Sequence, residues 1–171
     1  MKGYVQVYTG DGKGKTTAAL GLALRAAGAG FKVYIAQFLK KGDYSEIKAL
    51  TRFSDLVTVE QFGLGRFVKG APEPADIEAA AKGLDKINTI MAANLHQMVV
   101  LDEANVAVSC GLFAAEALLK LIEQKPDTME LVITGRGAVP EIIEKADLVS
   151  EVKNIKHYFN NGVPARIGIE K

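Results

Sequence analysis

The stretch Tyr4–Ala19, YVQVYTGDGKGKTTAA, constrains this chain more than any other. A short β-like run passes through a glycine-rich turn into Lys15, Thr16 and Thr17, and a helical pattern follows. That order is suited to holding phosphate. Gly10, Gly12 and Gly14 allow unusual dihedrals and bring backbone amides close to an anion, because no Cβ intervenes. The helix beginning near Gly14 aims its unpaired N–H groups and positive dipole end into the same loop. Lys15 adds a mobile charge, and Thr16 a hydroxyl suited to Mg²⁺. The usual G-x-x-x-x-G-K-[ST] pattern puts its first glycine at position 9, where this chain has Thr9. The cradle is therefore expected to be modified, and ordinary γ-phosphate hydrolysis does not follow from it.

The chain has 171 residues, 49% hydrophobic and 24% charged, enough for one well-filled core and too few for two comfortable domains. Residues 1–171 are read as one domain. A formal charge of +1 provides no overall attraction to nucleic acid, and no nucleic-acid partner is expected. Cys110 is the only cysteine, which excludes an internal disulfide and points to a reducing compartment. The first residues already read as a strand, with no leader, and no apolar run reaches membrane-spanning length. The expectation is a cytoplasmic protein without a membrane partner.

Apolar strand-like runs occur at Tyr4–Tyr8, Lys32–Phe38, Leu56–Gln61, Met98–Leu101, Glu130–Thr134 and Leu148–Val152. Helical patterns separate several of them, which argues for a parallel sheet covered on both faces. Thr16–Ala29 is rich in alanine and leucine. Asp76–Asn94 carries Ile77, Ala80, Leu84, Ile87 and Met91 as one apolar stripe, read as core or subunit contacts. Ala114–Gln124 places Ala115, Leu118, Leu119 and Ile122 on one face, and Pro140 suits the first turn of a helix over Glu141–Ala146. The fold class expected is α/β: a P-loop NTPase (RecA-like) domain with an open, mainly parallel sheet and helices on both faces.

The second chemical motif is Met98–Glu103, MVVLDE. An apolar strand ending in acids places a carboxylate at the carboxyl edge of the sheet, next to a phosphate-bound metal. Asp102 and Glu103 are both candidates for Mg²⁺, directly or through water; spacing does not decide between them.

At this point the chain resembles the ATP:corrinoid adenosyltransferases of the CobA/CobO/BtuR type. The resemblance is carried by TGDGKGKTTAALGLALRAAG (Thr9–Gly28), VYIAQFLK (Val33–Lys40), VVLDEAN (Val99–Asn105), LVITGRGA (Leu131–Ala138), ADLVSEV (Ala146–Val152) and IKHYFNNGVPARIGIE (Ile155–Glu170). It implies transfer of the 5′-deoxyadenosyl group of ATP to Co(I) of a reduced corrinoid, with release of triphosphate and with ATP lying in the loop in a reversed direction. Co(I) is itself a strong nucleophile, so the protein's task reduces to positioning and to stabilising the leaving triphosphate.

Carried over residue by residue, the resemblance gives Gly10, Asp11, Gly12, Lys13, Gly14, Lys15, Thr16 and Thr17 to the triphosphate. It gives Thr16 and Glu103 to Mg²⁺, makes Lys15, Thr16 and Glu103 the catalytic residues, and gives Arg25 to the nucleoside end of ATP. Arg25 reads equally as a solvated helix charge. Gln61–Gly70 aligns with a glycine-and-aromatic loop near the corrinoid, which puts Gly65, Arg66 and Phe67 there. Some members carry G-x-G-F-T-W at that loop; here the stretch reads GLGRFV, and the chain has no tryptophan. Phe67 then takes the wedge role, or packs as an ordinary loop residue. Arg136 in TGRGA sits where a sheet-edge loop faces ligand, or in a surface turn. His157 belongs near the substrate, or pairs with backbone to hold the carboxyl-terminal segment. The resemblance also implies a homodimer and an electron-donating flavoprotein. Longer members carry an amino-terminal segment not seen here, so a more open corrinoid site is expected.

His96 reads as a surface or satisfied histidine and Cys110 as a small packed side chain. Two competing functions stay open: a P-loop kinase or NTPase acting at the γ-phosphate, and a non-catalytic ATP sensor.

Overall fold

A computed structural model describes residues 1–66, 68 and 70–170. Strands β1 (Val5–Thr9), β2 (Val33–Phe38), β3 (Val57–Phe62), β4 (Met98–Asp102), β5 (Glu130–Thr134) and β6 (Leu148–Glu151) form one six-stranded sheet in the order β3-β2-β4-β5-β1-β6. Every pairing is parallel, so the mainly parallel sheet expected is wholly parallel.

Helices lie on both faces. On one side α3 (Pro74–Ala93), α4 (Ala104–Ser109), α5 (Ala115–Gln124) and α6 (Pro140–Lys145) bury Ala80, Ile87, Ala107, Leu118, Leu121 and Ile142 against Val7, Phe38, Leu101 and Ile133. On the other, α1 (Lys15–Gly28) and α2 (Ser45–Leu50) cover Val33, Ile35, Val100 and Val132. Inner strands buried from both sides need unbroken apolar runs, and all of β2 and β4 is buried. β6 is an edge strand with every residue exposed, including Leu148 and Val149.

Helix α1 meets the sheet through Ala19, Ala23, Ala26 and Ala27, at helical spacing. These small side chains let the helix lie close to the sheet, which brings its amino terminus over the carboxyl ends of β1 and β4. Helix α3 begins with Pro74 at its first position and a reciprocal capping box between Glu73 and Asp76, and ends at Asn94 in the left-handed region. Its buried positions are Asp76, Ala80, Gly83, Ile87 and Met91; Ile77, expected in the stripe, is exposed. Helices α2 and α4 escape a reading of periodicity because each has only six residues.

His96 is not the satisfied histidine expected: its Nδ1 is buried without a hydrogen-bond partner among the described residues, and the ring stands edge-on to Tyr34 at 5.8 Å. Cys110 is partly buried against the core, as a packed side chain should be. No described helix is long and apolar enough to cross a membrane.

Candidate active site

The loop after β1 turns at Gly10, whose φ of 93° favours glycine and where a Cβ would lie 2.5 Å from the Val152 carbonyl oxygen. Gly12 N–H donates to that oxygen at 2.7 Å, so the segment after β6 clamps the loop from beneath. Thr9, the departure from the usual pattern, is buried at the end of β1, and its Oγ1 accepts from Ala138 N–H at 3.3 Å. The hydroxyl thereby ties the loop to the strand β5 exit. Gly14 precedes the first turn of α1, so the free amides of that turn face the loop.

A cleft of about 800 Å³ opens above this loop. Asp11 to Thr17 form its floor, with Lys40, Glu103 and Arg136 beside them. Leu20, Leu24, Leu50 and Phe53 make an apolar wall, and His157, Gly168, Ile169 and Glu170 bring the carboxyl-terminal segment to the far side.

Beneath the cleft lies a polar row built by strand periodicity. Gln37, Asp102 and Thr134 continue, at the carboxyl ends of β2, β4 and β5, the parity that puts Ile35, Val100 and Val132 under α1. All three are fully buried. Asp102 Oδ1 accepts from Thr16 Oγ1 at 2.8 Å and Thr134 Oγ1 at 2.7 Å, while Oδ2 accepts from Gln37 Nε2 at 3.0 Å and Lys40 Nζ at 2.7 Å. Gln61 Nε2 in turn donates to Gln37 Oε1 at 3.0 Å. With these four donors the Asp102 carboxylate has used its acceptor sites.

Glu103 is different. Its backbone is left-handed, with φ 60°, and its N–H donates to Thr134 Oγ1 at 3.0 Å, so β4 ends in a sharp turn that lifts the side chain into the cleft. Its carboxylate has no hydrogen-bond partner among the described residues. Burial pushes its pKa up and Asp102 adds to the rise, against Lys40, Lys15 and Arg136. A cation arriving at Glu103 would relieve that penalty. Thr16 Oγ1 and the Glu103 carboxylate are hard oxygen donors, the chemistry Mg²⁺ selects. Among the described residues there is no cluster of three histidine, cysteine or acidic side chains, so phosphate oxygens and water would have to complete such a site.

Lys15 is buried, with Nζ donating to Gly12 O at 2.7 Å. Burial lowers its pKa, partly offset by Glu103. For Lys40, burial works against the charge, but Asp102 overcomes it and the net shift is upward.

Several candidates sit elsewhere or are otherwise engaged. The Lys13 ammonium bonds Glu170 Oε1 and the Ile169 carbonyl at 3.1 Å and Tyr158 Oη at 3.2 Å. Tyr158 also bonds Glu170, and the Arg166 guanidinium lies 4.9 Å above the Tyr158 ring while pairing with Glu170 at 3.1 Å. Together these hold the carboxyl-terminal segment beside the loop. His157 lines the cleft, and its Nδ1 accepts from Phe159 N–H at 3.0 Å, capping the turn Tyr158–Asn161. Arg136 reaches the cleft. Arg25 is exposed in the last turn of α1 and is not among the cleft-lining residues. Gly65 and Arg66 are not among them either; Arg66 pairs with Glu73 at 2.6 Å and Asp76 at 3.0 Å, fastening its loop to the start of α3. Phe67 lies outside the described residues.

Gln37, Lys40 and Thr134 are out of reach of sequence reasoning. Each looks like an ordinary strand-end residue; parity places Gln37 and Thr134 on the side that receives α1, whereas Lys40 has the opposite parity and comes over the sheet edge only through the left-handed turn at Leu39.

An all-parallel sheet covered by helices on both faces, with a glycine-rich loop at its carboxyl edge and a threonine–carboxylate pair beneath, defines the class as an α/β domain. The comparison with known proteins narrows that class. The family described as ATP:corrinoid adenosyltransferase BtuR/CobO/CobP matches residues 1–170, and the chain belongs to it. Among its relatives is a protein of Pseudomonas aeruginosa named corrinoid adenosyltransferase, 35% identical over 99% of this chain and 84% of the relative. Similar proteins of Escherichia coli K12 and Salmonella typhimurium, the latter named corrinoid adenosyltransferase CobA, are each 34% identical over 99% of this chain and 86% of their own length.

Proposed function

We propose that this chain is a transferase that moves the 5′-deoxyadenosyl group of ATP to Co(I) of a reduced corrinoid. The Co–C5′ bond forms as the C5′–O bond breaks, and the electron pair leaves on triphosphate. The observation that carries this reading is the convergence of Lys15 and Arg136 on a glycine-rich loop, within a family of this activity. A reaction whose difficulty is the departure of a polyanion calls for preorganised cations and amides rather than a protein nucleophile.

In this reading the loop from Gly10 to Thr17 holds the triphosphate with Lys15 and its free amides, that of Gly12 being donated to Val152 instead. Thr16 and Glu103 hold Mg²⁺, and Asp102, saturated by its own donors, acts from behind by orienting the Thr16 hydroxyl. Bound there, Mg²⁺ would supply neutralisation of phosphate charge. Leu20, Leu24 and Phe53 offer an apolar wall for the nucleoside, and Arg136 and His157 face the remaining opening. Gly65, Arg66 and Arg25 are proposed to complete the corrinoid and nucleoside contacts from outside this cleft, and Phe67 is assigned to the corrinoid by the family resemblance alone. We also propose a cytoplasmic homodimer of one domain per chain, supplied with electrons by a flavoprotein.

An anaerobic assay with ATP, Mg²⁺ and chemically reduced cobalamin tests the reading. Wild type is expected to form light-sensitive adenosylcobalamin with stoichiometric triphosphate, and Lys15→Ala to slow this by about 10²–10³-fold. Orthophosphate release with no change in the corrinoid spectrum would move the protein to the ordinary NTPases.

A further inference from the structure

A lysine outside the glycine loop stands at the centre of the site. Lys40 follows the end of β2 by two residues, and the intervening Leu39 holds a left-handed φ of 63°. Leucine adopts that conformation only where its surroundings impose it. The sharp turn sends Lys40 back over the sheet edge, where its ammonium lies 2.7 Å from Asp102 Oδ2 and 3.3 Å from Thr16 Oγ1. An ammonium has three N–H donors. The Asp102 and Thr16 contacts engage two, leaving one without a protein acceptor among the described residues. The side chain is 21% exposed and lines the cleft between Thr16 and Glu103.

The other loop cation is held elsewhere: the amine of Lys13 is taken by Glu170, Tyr158 and the Ile169 carbonyl. Nor is Lys40 needed to satisfy Asp102 as a hydrogen-bond acceptor, since Gln37, Thr134 and Thr16 already donate to both of its oxygens.

We propose that Lys40 is a triphosphate-binding residue, the second cation of the site beside Lys15, which gives its free donor to a phosphate oxygen while it stays anchored on Asp102. The anchor is what makes the charge useful. A lysine held by a buried carboxylate keeps its ammonium in place before the ligand arrives, so little reorganisation is needed when C5′–O cleavage leaves a further negative charge on the triphosphate. This inference rests on the reading of the loop as the site for the triphosphate of ATP.

The test is calorimetric binding of inorganic tripolyphosphate in EDTA, where no metal can substitute for the lysine. Lys40→Met is expected to lose about tenfold or more in affinity, and Lys40→Arg to recover part of it. Because Lys40→Met leaves a buried carboxylate without its cation and can fail to fold, the decisive comparison is made in Asp102→Asn, where there is no charge to neutralise. There the amide oxygen can still accept from the ammonium, so Lys40→Met should again weaken tripolyphosphate, by a smaller factor because the anchor is neutral. Equal affinity of Asp102→Asn and Asp102→Asn/Lys40→Met would overturn the proposal and reduce Lys40 to a counter-ion. If wild type binds tripolyphosphate and makes adenosylcobalamin while the lysine changes have no effect, this inference alone falls. If wild type binds no tripolyphosphate, the reading of the loop falls and takes the inference with it.

Discussion

Thr134 does two things with one oxygen: Oγ1 donates to Asp102 at 2.7 Å and accepts from Glu103 N–H at 3.0 Å. Replacing it by the isosteric valine keeps the volume, strands the Glu103 N–H and takes one of four donors from the buried Asp102 carboxylate. Thr134→Val is therefore expected to lose about 1–3 kcal/mol of stability in denaturant titration, the cost of orphaned buried polar groups. A loss within error would mean that water enters to replace the hydroxyl. At this scale the acidic pair was legible, because an apolar run ending in Asp-Glu is a readable pattern, but the division of labour was not. That division depends on which donors surround each carboxylate, and Gln37, Lys40 and Thr134 arrive from strands distant in sequence.

Helix α3 shows how an element and most of its face can be read correctly and one edge misplaced: Ala80, Ile87 and Met91 are buried and Leu84 packs on the core, while Ile77 is exposed. The expected span Asp76–Asn94 matches the observed Pro74–Ala93 to within two residues, whereas the buried stripe runs through Asp76, Ala80, Gly83, Ile87 and Met91. Asp76 and Gly83 do not register as apolar, so the pattern in the sequence is rotated toward Ile77. Gly83 allows close packing: a Cβ there would lie 2.8 Å from Phe38 Cε1 and 2.8 Å from Phe62 Cγ. Helix propensity alone would make Gly83→Ala stabilising by about 1 kcal/mol. The packing reverses the sign, and a net loss of about 1–3 kcal/mol is expected from thermal denaturation, because two core rings must shift. A rise in Tm would show that α3 can move away from the sheet at little cost.

For the whole molecule, strand order decides where chemistry can occur. Placing β5 between β1 and β4 puts Thr134 between the loop strand and the acidic strand. At the opposite end of β4, His96 titrates below its ordinary value of 6.5, first because burial disfavours the charged ring and second because Lys32 repels it. Between that lowered value and 6.5 the unfolded chain binds the proton more readily than the folded one, so stability falls as pH drops below 6.5. His96→Phe should flatten this acid limb relative to wild type in Tm measured against pH, since it removes the titration and keeps an aromatic edge for Tyr34. Parallel curves for the two proteins would mean that His96 is free to protonate in the fold.

The sequence by itself determined the glycine-rich loop between the first strand and the first helix, the alternation of strands and helices, the acidic strand end and, through motifs spread over most of the chain, the family. These are local signals: glycine dihedrals, hydrophobic period and residue order are written within a few neighbours of each position. Only the tertiary structure decided that Asp102 is saturated while Glu103 is open, that Lys13 turns to the carboxyl-terminal segment, and that Lys40 stands over the Thr16 hydroxyl. Each of those outcomes depends on groups brought together from distant parts of the chain, where burial and competition for hydrogen-bond partners, rather than local pattern, set what a side chain does.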